Sequence, residues 1–173
     1  MIRTFITVIL FFSIAHLMQA QDNEARLDSF SRVYTSALEQ EDFDLLISLT
    51  HPDVINIAGG LEYAKQDLVR DAREYNRMQL RLTSIETKIS SKIIEAGEEL
   101  HAIVPYEKLY ENEGLKHEES NYYLAASLDG GETWTFLDLR KHDTQSIPLF
   151  IPCLLYTSPS PRDQRGSRMP SSA

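Results

Sequence analysis

Apolar residues recur at spacings of three and four between Asn23 and Gln40. Leu27, Phe30, Tyr34 and Ala37/Leu38 fall on one helical face. Asp42 can cap a second, shorter helix carrying Phe43, Leu46, Ile47 and Leu49. Thr50-His51-Pro52-Asp53 ends it, because Pro52 disfavours helical backbone at His51. Val54-Ile55-Asn56-Ile57 reads as a short strand and Gly59-Gly60 as a break. Leu61 to Asn76 reads as a third helix, with Leu61, Ala64, Leu68, Ala72 and Tyr75 on one face. From Met78 the period changes to two. Met78, Leu80 and Leu82 share a face, and Ile85, Thr87 and Ile89 continue on the other parity, so a bulge is predicted near Thr83-Ser84. Ile93-Ile94 precede a turn at Gly97. Leu100, Ala102, Val104 and Tyr106 alternate along the next strand, where Pro105 implies an edge or a bulge. Asn112-Glu113-Gly114 is a hairpin turn. Glu118 to Leu128 returns with Tyr122, Leu124, Ala126 and Leu128 on one face, and Asp129-Gly130-Gly131-Glu132 turns into a strand from Thr133 to Leu139. No internal repeat is visible. The order predicts an α+β domain: three N-terminal helices, enclosing one short strand, packed on a curved, mostly antiparallel sheet.

The two ends stand apart from this pattern. Residues 1–20 carry Arg3, an apolar run from Phe5 to Ile14 broken only by Thr7 and Ser13, and a small residue at Ala20. This is the three-part pattern of a secretory signal peptide cleaved before Gln21. The run falls short of the roughly 18–20 residues that span a bilayer. The last segment, 153–173, back-translates to two stretches of transposase-type sequencing adapter, Cys153 to Asp163 and Ser167 to Ala173, in the order that an adapter read-through would place them. It is read as an artefact and set aside like a fusion scar. The natural frame is then expected to continue differently after Pro152, and the domain occupies 21–152.

Setting the ends aside changes the charge. The chain has 17 basic and 26 acidic residues. Arg3 lies in the leader, and Arg162, Arg165, Arg168 and Asp163 lie in the tail. Residues 21–152 therefore carry 13 basic and 25 acidic residues, a net −12, and no Cys, since Cys153 is the only one in the chain. An exported domain without disulfides suits a periplasm or the extracellular medium. The acidic balance argues against nucleic acid and against anionic membrane as partners.

Two local words carry a resemblance. Glu41-Asp42-Phe43-Asp44-Leu45-Leu46 followed by His51-Pro52-Asp53-Val54, then Gly59-Gly60-Leu61-Glu62, within this element order, resemble the nuclear transport factor 2-like superfamily (SnoaL-type, cystatin-like cone) over about residues 24–140. The chain is most similar to its small exported bacterial members. The resemblance implies a sheet wrapped around the helices, a conical cavity, and relatives that are isomerases, dehydratases or polyketide cyclases, or that only bind. A further word, Ser127-Leu128-Asp129-Gly130-Gly131-Glu132-Thr133-Trp134, matches the Asp box of sialidase propellers. One box cannot build a propeller, which needs several blades at a regular period. It is read as a hairpin, with Asp129 accepting N–H bonds across the turn and Trp134 packed on the sheet.

The candidate chemistry is sparse. Tyr34, Asp53 and His101 are the candidates for catalysis, by analogy with the cone enzymes. Against that, Tyr34 suits the core, and His101 has the parity opposite to Leu100 and Ala102, which predicts a surface position. His51, at a helix end, is expected to meet the helix dipole. Tyr106, Tyr123 and Trp134 are the candidates for ligand binding among the aromatics gathered on neighbouring strands. Glu62, Asp67, Asp71 and Glu74 read as a solvated helix face, since no His or Cys stands at metal-ligand spacing. No nucleophile elbow, P-loop, dinucleotide fingerprint or HExxH occurs. The expectation is a binding domain without cofactor or metal, taking a small hydrophobic ligand in the cone and dimerising through its sheet. The alternative is a small isomerase, dehydratase or hydrolase.

Overall fold

The computed structural model describes residues 2–88 and 92–141, with side chains for 19–88 and 92–140. Residues 142–173, and with them the apolar run at 147–151 and the adapter-like tail, lie outside the described residues. Within them the chain is α+β, with four α-helices preceding a five-stranded antiparallel sheet. Helix α1 (Ile2–Glu39) runs through the expected cleavage point without a break. Glu41, at φ 54°, turns the chain into α2 (Phe43–Ser48). As the sequence predicts, Asp42 caps α2: the Leu45 N–H donates to its Oδ1 at 3.1 Å.

The segment read as a strand is a helix, α3 (Pro52–Ile57). Its β-branched residues favour a strand, but two local devices override them. Pro52 stands in the first turn, where its missing N–H costs nothing. The His51 ring caps the helix, with Nδ1 accepting from the Asp53 N–H at 3.2 Å. His51 thus meets a helix N-terminus through a lone pair, not the preceding helix's dipole as a cation. The α2–α3 junction also bonds the outer edge of the sheet: Phe136 N–H donates to Leu49 O at 2.8 Å, and His51 N–H to Phe136 O at 3.1 Å. That edge is thereby covered.

Helix α4 (Leu61–Arg77) is longer than its expected range by one residue. Of its apolar face only Ala64 is buried; Leu68 packs partly on the core and Leu61 is exposed. Met78 caps α4 instead of opening the sheet, and Gln79, at φ 55°, closes the helix, with Leu80 N–H donating to Tyr75 O.

The strands are β1 (Arg81–Thr87), β2 (Ile94–Ala96), β3 (Glu99–Asn112), β4 (Leu115–Ser127) and β5 (Thr135–Asp138), followed by a 3₁₀ turn (Leu139–Lys141). Their order is β1–β3–β4–β5, and β2 pairs with β3. The predicted bulge is present, as a register shift between Leu82 and Ser84. Pro105 departs from expectation. It lies in the central strand, and the β3–β4 register runs unbroken through it, Pro105 opposite Tyr122. Pro105 O accepts from Lys88 N–H at 3.0 Å, one residue past the end of β1. Its missing N–H therefore falls where that ladder ends.

The two-residue loop Glu113-Gly114 has both residues at positive φ, as a right-twisted hairpin requires. The Asp box is the predicted hairpin. Asp129 accepts from the Thr133 N–H at 2.9 Å and hydroxyl at 2.6 Å, and Ser127 Oγ accepts from Gly131 N–H at 2.8 Å. A Cβ at Gly131 would stand 2.3 Å from the Asn23 side chain of α1, so the tip docks closely on that helix.

Alternation along β3 turns Leu100, Ala102, Val104 and Tyr106 toward the helices, where they meet Leu27, Tyr34, Leu46, Tyr123, Trp134 and Phe136. On β4 the parity that meets the helices is Tyr123 and Ala125, not the Tyr122–Leu128 set. Leu124 and Leu137 form a second small cluster with Val54 on the other side.

Candidate functional site

The inward parity of β3 does not stop at Tyr106. It continues to Lys108 and Tyr110, both buried. On β5 the parity of Trp134 and Phe136 continues to Asp138. A lysine and an aspartate are thus delivered to the apolar side of the sheet. Lys108 Nζ lies 3.6 Å from Asp138 Oδ2, with side chains 6% and 10% exposed. The ammonium stands 4.3 Å from the centre of the Tyr106 ring and 5.5 Å from that of Tyr123. Asp138 Oδ1 accepts from the Tyr106 hydroxyl at 3.1 Å and from the Arg140 N–H at 3.0 Å.

Arg140 extends this network. Its guanidinium donates to the Tyr75 hydroxyl and, at 3.1 Å, to Glu119 Oε2. Tyr75 stacks on Tyr110 with ring centres 5.1 Å apart. Burial opposes the Arg140 charge, but the bond to Tyr75 and the charges of Asp138 and Glu119 together outweigh it and hold the cation. Burial, then the Asp138 charge, push the Tyr34 phenol well above its ordinary value. Tyr106 and Tyr110 are raised as well, again first by burial. All three phenols are neutral near pH 7, so they can donate hydrogen bonds but cannot act as bases.

Two adjoining cavities lie under α4, one against the sheet and the other against α3 and the edge strand β5. One, about 420 Å³, is walled by Leu38, Phe43, Leu46 and Ala72 and ends on Tyr110, Lys108 and Arg140. The other, about 570 Å³, is walled by Ile47, Val54, Ile57 and Leu137. They share Tyr34, Leu68, Asp71 and Asp138. Asp71 lines both cavities and Asp67 one, while the Asp67 side chain stays half exposed beside Arg70, as a solvated face predicts.

The three candidates for catalysis do not come together. Tyr34 is buried against Tyr123 and Phe136 and lines both cavities. Asp53 lies in the first turn of α3, where its backbone N–H donates to the His51 cap. His101 lies on the opposite face of β3, as its parity predicts, but it is buried and not at the surface. Its Nε2 bonds Glu99 Oε2 at 3.0 Å, and His51 lies near enough to feel both groups. Burial pushes the His51 ring below its ordinary value, while Asp53 and Glu99 pull the other way.

Of the candidates for ligand binding, none lines either cavity under α4. Tyr106 and Tyr123, stacked at 4.2 Å, and the fully buried Trp134 form the layer beneath. The residues that sequence reasoning missed are Lys108, Asp138, Arg140 and Glu119. A signal existed for the first two, a charge on the apolar parity of a strand. Among the described residues no group of three or more His, Cys, Asp or Glu could hold a metal ion, and no helix is long and apolar enough to cross a membrane. No family model, curated protein or solved structure matches this chain.

Proposed function

We propose that this chain is an exported, nuclear transport factor 2-like domain that binds a small, mainly hydrophobic molecule between α4 and the sheet and does not turn it over. The observation that carries the reading is the cavity pair itself: apolar walls closing on a polar floor whose ionised groups are already matched. Lys108 pairs with Asp138, Arg140 with Glu119. A general base needs a carboxylate or imidazole whose proton affinity suits the operating pH. Here the Asp138 oxygens are already engaged by the Tyr106 hydroxyl, the Arg140 backbone N–H and Lys108, and the phenols are held neutral. The element order supports the family reading, and the leader-like segment at 1–20 supports export to a periplasm or the medium.

The test is fluorescence titration with phenylnaphthylamine, an uncharged apolar dye. Its emission is expected to rise saturably at one molecule per chain, and Leu68→Trp, which fills the shared wall, is expected to abolish the rise while leaving a cooperative melt. A dye that ignores the protein would overturn the binding reading. Turnover abolished by Asp138→Asn would instead favour an isomerase or dehydratase. Dimerisation through the outer sheet face is part of the proposal, supported by the exposed Ile103 and Tyr122 there. Sedimentation of Tyr122→Glu as a monomer beside a dimeric parent would bear it out.

A further inference from the structure

The two cavities meet at four shared residues. Each has an apolar stretch of wall, Phe43 and Ala72 in one and Val54 and Ala58 in the other, beside charged residues such as Arg81 and Arg70. The four residues common to both put polar groups at the waist: Tyr34 from α1, Asp71 from α4 and Asp138 from β5, beside Leu68. Tyr34 is 6% exposed and lines both cavities. A phenol carries a hydrogen-bonding hydroxyl on an apolar ring. Set where the two chambers meet, it offers a hydrogen-bonding group at the middle of an elongated space.

We infer that the ligand is an elongated, uncharged molecule with two apolar arms and a hydrogen-bonding oxygen between them, lying under α4 with one arm in each cavity and the oxygen on the Tyr34 hydroxyl. A terminal polar group would leave Tyr34 unbonded or drive an oxygen into an apolar wall, either of which costs binding. An ionised group is disfavoured. Lys108 is already matched by Asp138 and Arg140 by Glu119, so a single ionised group on the ligand would leave one charge of this set uncompensated. This inference rests on the binding reading above but fails separately from it.

Displacement of phenylnaphthylamine from the full chain tests it, using two isomeric ketones: dipentyl ketone, with the oxygen central, and methyl nonyl ketone, with the oxygen near one end. The central isomer is expected to bind about tenfold more tightly. Tyr34→Phe is expected to bring the two isomers level. Ala72→Trp and Ala58→Trp, which block one chamber each, are each expected to weaken dipentyl ketone about tenfold or more. Equal affinities of the isomers for the unaltered chain would overturn the inference with no variant needed. So would loss of binding on blocking one chamber only, which would leave the binding reading standing with a single-chamber ligand. Failure of the dye itself to bind would remove both.

Discussion

Tyr34 and Tyr123 touch edge to face, 5.1 Å between ring centres, yet their hydroxyls have different roles. The Tyr123 hydroxyl is sealed in the core with no partner among the described residues. Its desolvation is uncompensated, so Tyr123→Phe is expected to be neutral or to stabilise by up to about 1 kcal/mol in urea melts. Lys108 is the opposite case. Lys108→Met leaves Asp138 with its compensating cation gone and is expected to cost about 3 kcal/mol, a loss that the double variant Lys108→Met/Asp138→Leu should largely recover. Gln79 illustrates a purely backbone term. It holds φ 55° at the end of α4, a conformation that glycine adopts without a Cβ penalty. Gln79→Gly should stabilise by about 1 kcal/mol in the same melts.

At the scale of elements, α3 depends on a titratable cap. His51 must be neutral at Nδ1 to accept from the Asp53 N–H, and burial lowers its proton affinity in the folded chain. The unfolded chain, with its ring near 6.5, binds the proton more readily. Stability is therefore complete above about pH 6.5 and is lost as the pH falls through the lower, folded value. Melting temperature followed from pH 7.5 to 5 should show this decline, and His51→Asn, a cap that does not titrate, should flatten it. A slope unchanged in His51→Asn would assign the titration elsewhere.

Helix α3 is also where the sequence misleads most. Val54, Ile55 and Ile57 vote for a strand by propensity, and only the pairing of a histidine cap with a proline in the first turn reverses them. The Asp42 cap, the Thr83 bulge, the Glu113-Gly114 hairpin and the Asp box were all legible, because each is decided by residues within a few positions of one another. Pro105 was not, since its tolerance depends on where another strand stops. The candidate site was legible only in part. Tyr34 could be picked out from helical spacing, and Lys108 and Asp138 could have been found by following each strand's apolar parity two residues further. No local rule brings Arg140, Glu119 and Tyr75 together. They come from a 3₁₀ turn, the fourth strand and the fourth helix.

On the scale of the whole molecule, the sheet is a rigid wall and α4 a loosely seated one. The cavities exist because the long helix that should fill that space buries only Ala64. The opposite wall is held in place at several points: β5 by the α2–α3 junction, and the Asp-box tip by α1 through the Arg26–Glu132 ion pair. Exchange of amide hydrogens is thus expected to be slowest in β3 and β4 and faster in α4, with a bound ligand protecting α4 more than the sheet. Uniform protection across the helices and the sheet would contradict that division.

The buried Lys108–Asp138 pair has a consequence beyond the site. A strand repeats its orientation every two residues, so sliding β5 by one position along β4 would turn Asp138 to the far side. Hydrophobic residues around it could adapt to such a slip at modest cost. Lys108 could not, because it would lose the carboxylate it pairs with. The pair therefore works as a key in a lock during assembly: misaligned sheets are penalised by an unmatched charge, and the aligned one is singled out. The apolar double variant should gain or keep stability and lose this discrimination, appearing as a second, slowly exchanging set of amide signals from β5.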